Sequence, residues 1–242
     1  MKKLKIGFKS AYGRNRGLIS SYHRQKGSKK LYKIIDFGRN LLNVKGKVKF
    51  IEKDSYRTGF VAGICYTNGY FSYMLAVDGL KVGDFIVNSL ASNTTFSTVG
   101  VSCLLANVRV GEKISNIEWF PGMGGRVTRS AGTFSKIIKK YADRVLIKLN
   151  SGEFRLFFNN CMCTIGRVSN IKHNELNIKN AGFNRLLGWR PVVRGRAMNP
   201  VDHPHGGRTN GGITPRTPWG ALTRGVKTVK NFKACIIKKK KK

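Results

Sequence analysis

Residues 60–77 read FVAGICYTNGYFSYMLAV. Two runs rich in Val, Ile, Phe and Tyr, Phe60–Tyr66 and Tyr70–Val77, flank the turn Thr67-Asn68-Gly69. Branched and aromatic side chains suit a pleated, half-buried surface, and Asn-Gly supplies the positive φ of a tight hairpin turn. The same punctuation recurs on both sides. Strands are expected at Leu31–Phe37 and Lys47–Glu52 before the hairpin and at Val99–Val108 after it, with turns at Asp78-Gly79 and Val82-Gly83-Asp84. Five short strands with no sustained helical period predict a small closed barrel, and the five-stranded oligonucleotide-binding (OB) barrel fits that count.

A second set of runs follows, at Lys113–Phe120, Thr133–Lys139, Arg144–Leu149, Glu153–Phe158 and Thr164–Val168. Asn150-Ser151-Gly152 reads as a hairpin turn between two of them. Between the first two lies PGMGGRVTRSAG, Pro121–Gly132. Its glycines offer backbone N–H donors, and Arg126, Arg129 and Ser130 add cations and a hydroxyl, a composition suited to phosphate. The nucleotide-binding string G-x-x-x-x-G-K-[ST] is absent. Residues 170–190 are the best helix candidate, a turn or two ended by Gly182.

Charge sets the class of partner. The 242 residues hold 46 Lys or Arg and 11 Asp or Glu, a net charge of +35. So large a charge repels itself in a compact chain and calls for a polyanion, most simply nucleic acid. The charge is uneven: residues 1–30 carry ten Lys or Arg and no acid, residues 186–242 carry fourteen and one. A membrane surface would call for an amphipathic basic helix, which the sequence lacks, and no apolar run approaches the ~18 residues that span a bilayer. The start, MKKLKIGFKS, lacks the apolar stretch of a signal peptide. Cys65, Cys103, Cys161, Cys163 and Cys235 show no C-x-x-C spacing, so free thiols in half-buried strands are expected rather than a zinc site.

The basic ends carry the candidate binding residues. In the first, Tyr22 and His23 stand among Arg14, Arg16 and Arg24, planar groups among cations that suit stacking on unpaired bases and pairing with phosphates. In the second, RGRAMNPVDHPHGGRTNGG, Arg194–Gly212, has two prolines, two Gly-Gly pairs and almost no apolar side chains. Such a segment cannot bury a hydrophobic face and needs a partner surface to give it one shape. Arg190, Arg194, Arg196, Arg208 and Arg224 cluster in and around it, with Asn199, His203 and His205 inside it and Trp219 beyond. Both ends are therefore expected to be extended arms that order when RNA neutralises them.

At this point the motifs carry a resemblance. YKIIDFGRN (Tyr32–Asn40), GLKVGD (Gly79–Asp84), PGMGGRVTRSAGT, SGEFR (Ser151–Arg155), WRPVVRG (Trp189–Gly195), AMNPVDHPHGG (Ala197–Gly207) and TPWG (Thr217–Gly220) occur in the order in which the uL2 (L2) family of large-subunit ribosomal proteins has them. The resemblance implies an all-β chain: an OB-fold RNA-binding domain over 31–110, an SH3-like barrel over 111–188, and basic extensions over 1–30 and 189–242. It implies that the chain is no enzyme but a structural constituent of the large ribosomal subunit. Its partners would be large-subunit rRNA, other large-subunit proteins and the small subunit at the interface. Its roles would be in assembly, subunit association and support of the peptidyl transferase centre, and the family histidine discussed near that centre maps onto His203. No cofactor is implied beyond Mg2+ that accompanies rRNA. Ser20–Gln25 stands where bacterial members have Gly-Gly-Gly-His-Lys, and Arg208–Gly212 replaces their Gly-Glu-Gly in a form associated with mitochondrial members. The richness in Lys, Asn, Ile and Phe agrees with an organelle genome. The expected location is the mitochondrion, with a plastid or the bacterial cytoplasm as alternatives.

Two rival readings remain at this stage. One is acyl-transfer catalysis by His203, or a metal held by Asp202, His203 and His205; a general base needs a held orientation and a partner nucleophile, and neither is evident. The other is a general nucleic-acid condenser, which would bind duplex DNA and structured RNA alike.

Overall fold

A computed structural model describes residues 4–7, 12–90, 98–177, 180–207, 213–224 and 235–238. The chain divides into two compact units, one of residues 1–8, 30–177 and 234–242, the other of residues 9–29 and 178–233.

The first unit is all-β, with a first core of two clusters on opposite faces of one sheet and a second core on another sheet. The hairpin forms as its residues dictate: Val61–Tyr66 pairs antiparallel with Phe71–Leu75 in the register Val61↔Leu75 to Cys65↔Phe71. Gly69 takes φ 79° at the turn, Tyr66 N–H donates to Tyr70 O at 2.8 Å, and Tyr70 N–H donates to Asn68 Oδ1 at 3.1 Å. Gly46–Glu52 pairs on the other side of Val61–Tyr66, and Phe85–Ile86 pairs with Gly46 and Lys47 beyond it. The central strand is buried on both faces. Ala62 and Ile64 join Val48, Met74 and Ile86 in one cluster, while Val61 joins Ile35, Tyr73 and Leu75 in another. Gly63 is required between them, because a Cβ there would lie 2.5 Å from the Phe50 ring.

The second core closes an eight-stranded sheet. Its strands run in the spatial order Ile236–Lys238, Phe154–Phe158, Arg144–Lys148, Ser135–Lys140, Lys113–Ser115, Met162–Ile165, Ser102–Leu104 and Asn88–Ser89. Ile114, Ile137, Val145, Ile147 and Phe157 fill it, with Trp119 stacked on Phe157 at 5.6 Å.

The structure moves several expected boundaries. The first sheet has four strands, because Val99–Val108 gives its paired part, Ser102–Leu104, to the second sheet, opposite Met162–Thr164. Cys103, Leu105 and Val108 accordingly sit in the second core, so that core reaches across position 110. Leu31–Phe37 forms a strand over Leu31–Lys33, against Lys5–Gly7, and Ile35 adds a single parallel bridge to Tyr73. Lys113–Phe120 breaks at Asn116, whose φ is 49°. The helix spans Ala181–Leu187 and ends at Gly188, not Gly182: Gly188 takes φ 96° and its N–H reaches the carbonyls of Arg185 and Asn184, whereas Gly182 lies in the first turn. The C-terminal strand Ile236–Lys238 lies within the expected tail and covers the edge of Phe154–Phe158.

Cys103, Cys161 and Cys163 are fully buried rather than half-buried, since all three point into the second core. Burial, together with the nearby Glu118, pushes the Cys161 thiol up to about 11. The native state therefore keeps a proton that the unfolded chain, with a thiol near ~8.5, loses first, so this group lowers stability as pH rises from about 9 toward 11. Alkylation with iodoacetamide at pH 8, read by mass spectrometry, is expected to label half-buried Cys65 while sparing Cys161 until the chain is unfolded in denaturant.

Candidate nucleic-acid interface

The glycine-rich loop is shaped from inside by one acid. Glu118, 2% exposed, accepts hydrogen bonds from the N–H groups of Gly124 at 2.8 Å, Gly122 at 3.3 Å and Met162 at 2.9 Å. Gly125 N–H donates to Phe37 O at 2.9 Å. Gly122 and Gly124 take φ of 78° and 72°, which their sequence positions permit at no steric cost. Three of the donors expected to face phosphate are thus taken up internally. A loop folded against its own carboxylate has fewer N–H groups to offer but a fixed shape.

That shape presents cations. Arg129 donates to Gly125 O at 3.3 Å and lies over the Phe37 ring at 4.6 Å. Arg57 lies over the Tyr32 ring at 4.9 Å and 5.7 Å from the centre of Phe37. Arg57 also donates to the Tyr32 hydroxyl at 3.0 Å and to Asp54 at 3.3 Å. Partial burial, then the charges of Arg57 and Arg126, hold Arg129 below the ordinary arginine range. Phe37 thereby gathers two guanidinium groups that repel each other, an arrangement that favours an anion between them. Arg126 and Ser130 are exposed on the same loop.

The second unit joins the two basic ends, which the sequence reading kept apart. Gln25 N–H donates to Gly188 O at 3.0 Å, Ser28 N–H to Leu186 O at 2.9 Å, and Arg190 N–H to His23 O at 3.0 Å. His23 Nδ1 lies 3.0 Å from Pro191 O. The Arg24 guanidinium stacks 3.6 Å over the Trp189 ring, and Tyr22 meets Trp219 edge-on at 5.8 Å. Trp219 is nonetheless 73% exposed. Among the described residues of this unit only Gly188 and His203 are buried, so backbone pairing and stacking hold it rather than a core.

His203 and His205 fix the C-terminal segment. His205 N–H donates to His203 Nδ1 at 3.0 Å, and Arg216 N–H donates to His205 Nε2 at 3.0 Å. A backbone N–H can only donate, so neutral His203 carries its proton on Nε2; His205 Nε2 also lies 3.2 Å from Thr214 O. The rings sit 4.6 Å apart. Asn199 O accepts from Asp202 N–H at 3.0 Å, and Gly206 N–H donates to His203 O at 2.8 Å. Gly195 lets the imidazole in, since a Cβ there would lie 2.7 Å from it.

Of the residues singled out from sequence, Arg14, Arg16, Tyr22, Arg24, Arg190, Arg194, Arg196, Asn199, Trp219 and Arg224 are exposed in the second unit, His23 and His205 half-buried, and His203 buried. Arg208 lies outside the described residues. Sequence reasoning missed Glu118, Asp54, Arg57, Phe37 and Tyr32. Their signal was scarcity: in a chain with 11 acids among 46 cations, an acid beside a strand end has a structural duty. No group of three or more His, Cys, Asp or Glu among the described residues is placed to hold a metal.

Comparison with known proteins matches residues 1–88 to the model of "Ribosomal Proteins L2, RNA binding N-terminal domain" and residues 98–220 to that of "Ribosomal Proteins L2, C-terminal domain". The chain is 45% identical over 248 residues to the large ribosomal subunit protein uL2 of Rickettsia prowazekii (strain Madrid E), covering all of the chain and 89% of that protein. It is 46% identical over 247 residues to the uL2 of Rickettsia canadensis (strain McKiel), covering 99% and 89%.

Replacing Glu118 with Ala leaves three buried or half-buried N–H groups without their acceptor, and is expected to cost on the order of 3 kcal/mol of stability. Glu118→Gln should cost less, because one amide oxygen can still accept while the amide nitrogen faces donors. Urea unfolding of the purified variants measures both; equal stability of Glu118→Ala and wild type would contradict the assignment.

Proposed function

The chain belongs to the uL2 family of large-subunit ribosomal proteins, and from that we infer that it is a structural constituent of the large ribosomal subunit and binds its RNA. The observation that carries the geometry of binding is the pair Arg57 and Arg129 on Phe37, two cations converging where, among the described residues, Asp54 alone is within ion-pair distance of either. Phosphate completes such a site, and the exposed arginines of the second unit offer further phosphate contacts of their own. Arginine and lysine fix position on the RNA; Tyr22, His23 and Trp219 supply planar faces for unpaired bases.

The two sheets support the proposed domain plan. The segment around the first sheet and the one around the eight-stranded sheet act as two RNA-binding β-bodies, and the paired basic ends act as a third element. Those ends come to RNA with mutual hydrogen bonds already in place, so RNA is not the sole source of their shape. Other large-subunit proteins and a small-subunit contact complete the proposed partners, with Mg2+ entering only as part of the RNA.

The role is structural, not catalytic. His203 Nδ1 is taken by the His205 N–H, so its neutral ring offers no free lone pair to act as a base. Its work is to hold residues 195–207 in one shape. The proposed home is a mitochondrial ribosome, supported by the Arg208–Gly212 segment and the Lys, Asn, Ile and Phe content. The bacterial alternative is supported by the Rickettsia relatives.

Sedimentation with a specific antibody is expected to place the chain with the large ribosomal subunit. On purified protein, log affinity for large-subunit rRNA should fall linearly with log salt, and Arg126→Ala should reduce that slope by about 0.7–0.9. Equal affinity for random DNA duplex at every salt would instead favour the condenser. His203→Ala should impair incorporation, while subunits that do form make peptide bonds at the normal rate. A large loss of rate with intact assembly would reinstate catalysis.

A further inference from the structure

A cavity of about 540 Å3 opens in the first unit, lined by Tyr32, Phe37, Tyr56, Arg57, Arg129 and Ser130 among others. Its volume falls in the range of sites that hold a small planar ligand, roughly 300–1,000 Å3. Its chemistry is unusual for a groove that follows only a phosphate backbone. Tyr56 stands 48% exposed and meets Tyr32 edge-on at 5.5 Å, so one aromatic face stays open to the cavity's contents. The Tyr32 ring is covered by Arg57 instead.

One buried acid sets this corner. The Asp54 side chain is 0% exposed. It accepts from the Tyr56 N–H at 3.0 Å and from Arg57 at 3.3 Å, and lies 3.8 Å from Lys33 Nζ. The same carboxylate therefore positions the planar ring and a guanidinium on consecutive residues. Opposite them, Thr58 Oγ1 accepts from Ala131 N–H at 3.1 Å and ties the loop bearing Arg129 and Ser130 to the loop bearing Tyr56. Among the described residues Arg129 has no carboxylate within ion-pair distance. An open aromatic face, a charge in need of an anion and a nearby hydroxyl are the complements of a base, a phosphate and a sugar.

We propose that this cavity takes one unstacked nucleotide, its base on Tyr56 and its phosphate between Arg57 and Arg129. The proposal deepens, and rests on, the RNA-binding reading above. It differs from a phosphate track in requiring the ring: stacking on an aromatic is sequence-tolerant, because every base has a π-face.

The test uses the full chain, large-subunit rRNA from the ribosomes with which it sediments, and free 5′-AMP and 5′-UMP as separate probes. Tyr56→Ala should weaken rRNA binding about ten-fold with an unchanged salt slope; Tyr56→Phe should bind as wild type. Arg129→Ala should lower the slope by about 0.7–0.9, and Arg129→Lys should keep it. Ultraviolet crosslinking, then nuclease and trypsin, should leave a mononucleotide on the peptide Asp54–Arg57. Wild-type binding by Tyr56→Ala, whether or not Arg129→Ala loses slope, overturns the seated base and leaves the RNA-binding reading standing. Saturation of the wild type by free 5′-AMP or 5′-UMP at micromolar concentration, with rRNA binding indifferent to Tyr56, would make it a free-nucleotide site and overturn the RNA-borne one. Absence of any rRNA binding by the wild type would defeat the broader reading, and this one with it.

Discussion

A carboxylate buried among cations is the constraint on which the first unit depends. Removing Glu118 or Asp54 from water costs several kcal/mol unless hydrogen bonds and opposite charges replace the lost hydration. Each acid therefore draws in as many partners as it can reach. Glu118 takes the N–H groups of Gly122, Gly124 and Met162, and Asp54 takes Tyr56 N–H and Arg57 with Lys33 close by. Glu52, half-buried at the end of strand Gly46–Glu52, lies 2.9 Å from Lys33 Nζ and 3.7 Å from Lys5 Nζ. Glu52 and Asp54 thus each direct two cations, whereas Glu118 directs backbone donors. Arg39 is received differently: it is buried without an ion pair among the described residues and donates to Gly100 O at 3.3 Å.

The second unit solves the same problem without a core. Its apolar side chains, Leu18, Phe183, Leu186 and Val201 among them, stay exposed, so its shape must come from directional bonds and close fits. Backbone pairing between residues 25–28 and 186–188, the Arg24 stack on Trp189 and the linked imidazoles of His203 and His205 supply them. Such a scaffold is sensitive to single atoms. A methyl group at Gly195 would occupy the place of the His203 ring, and no soft packing exists nearby to absorb it.

The parts of this architecture that were legible in the sequence are those set by local physics. The hairpins at Asn68-Gly69 and Ser151-Gly152 were readable because φ and side-chain alternation are properties of neighbouring residues. The transfer of Ser102–Leu104 to the second sheet was not, since an apolar run records that it is buried but not against what. Ile236–Lys238 was hidden by the lysines that follow it. The exposed arginines were legible as a charge excess. The pocket was not, because Tyr32, Phe37, Asp54 and Arg129 are brought together only by the fold, across nearly a hundred residues of chain.

These two designs bear differently on what RNA must supply. A flexible cation loses rotamer freedom when it meets a phosphate, about 0.5–1.5 kcal/mol for each long side chain. Arg57 and Arg129 have lost part of it beforehand, on Phe37, at the expense of mutual repulsion. That repulsion is relieved when an anion arrives, so the energy stored in placing them is returned at the moment of binding. The arginines of the second unit, exposed and largely without such constraint, bear the ordering cost then instead. On the proposed reading the first unit is suited to fixing a stretch of RNA in one place, and the second to adapting to the RNA it meets.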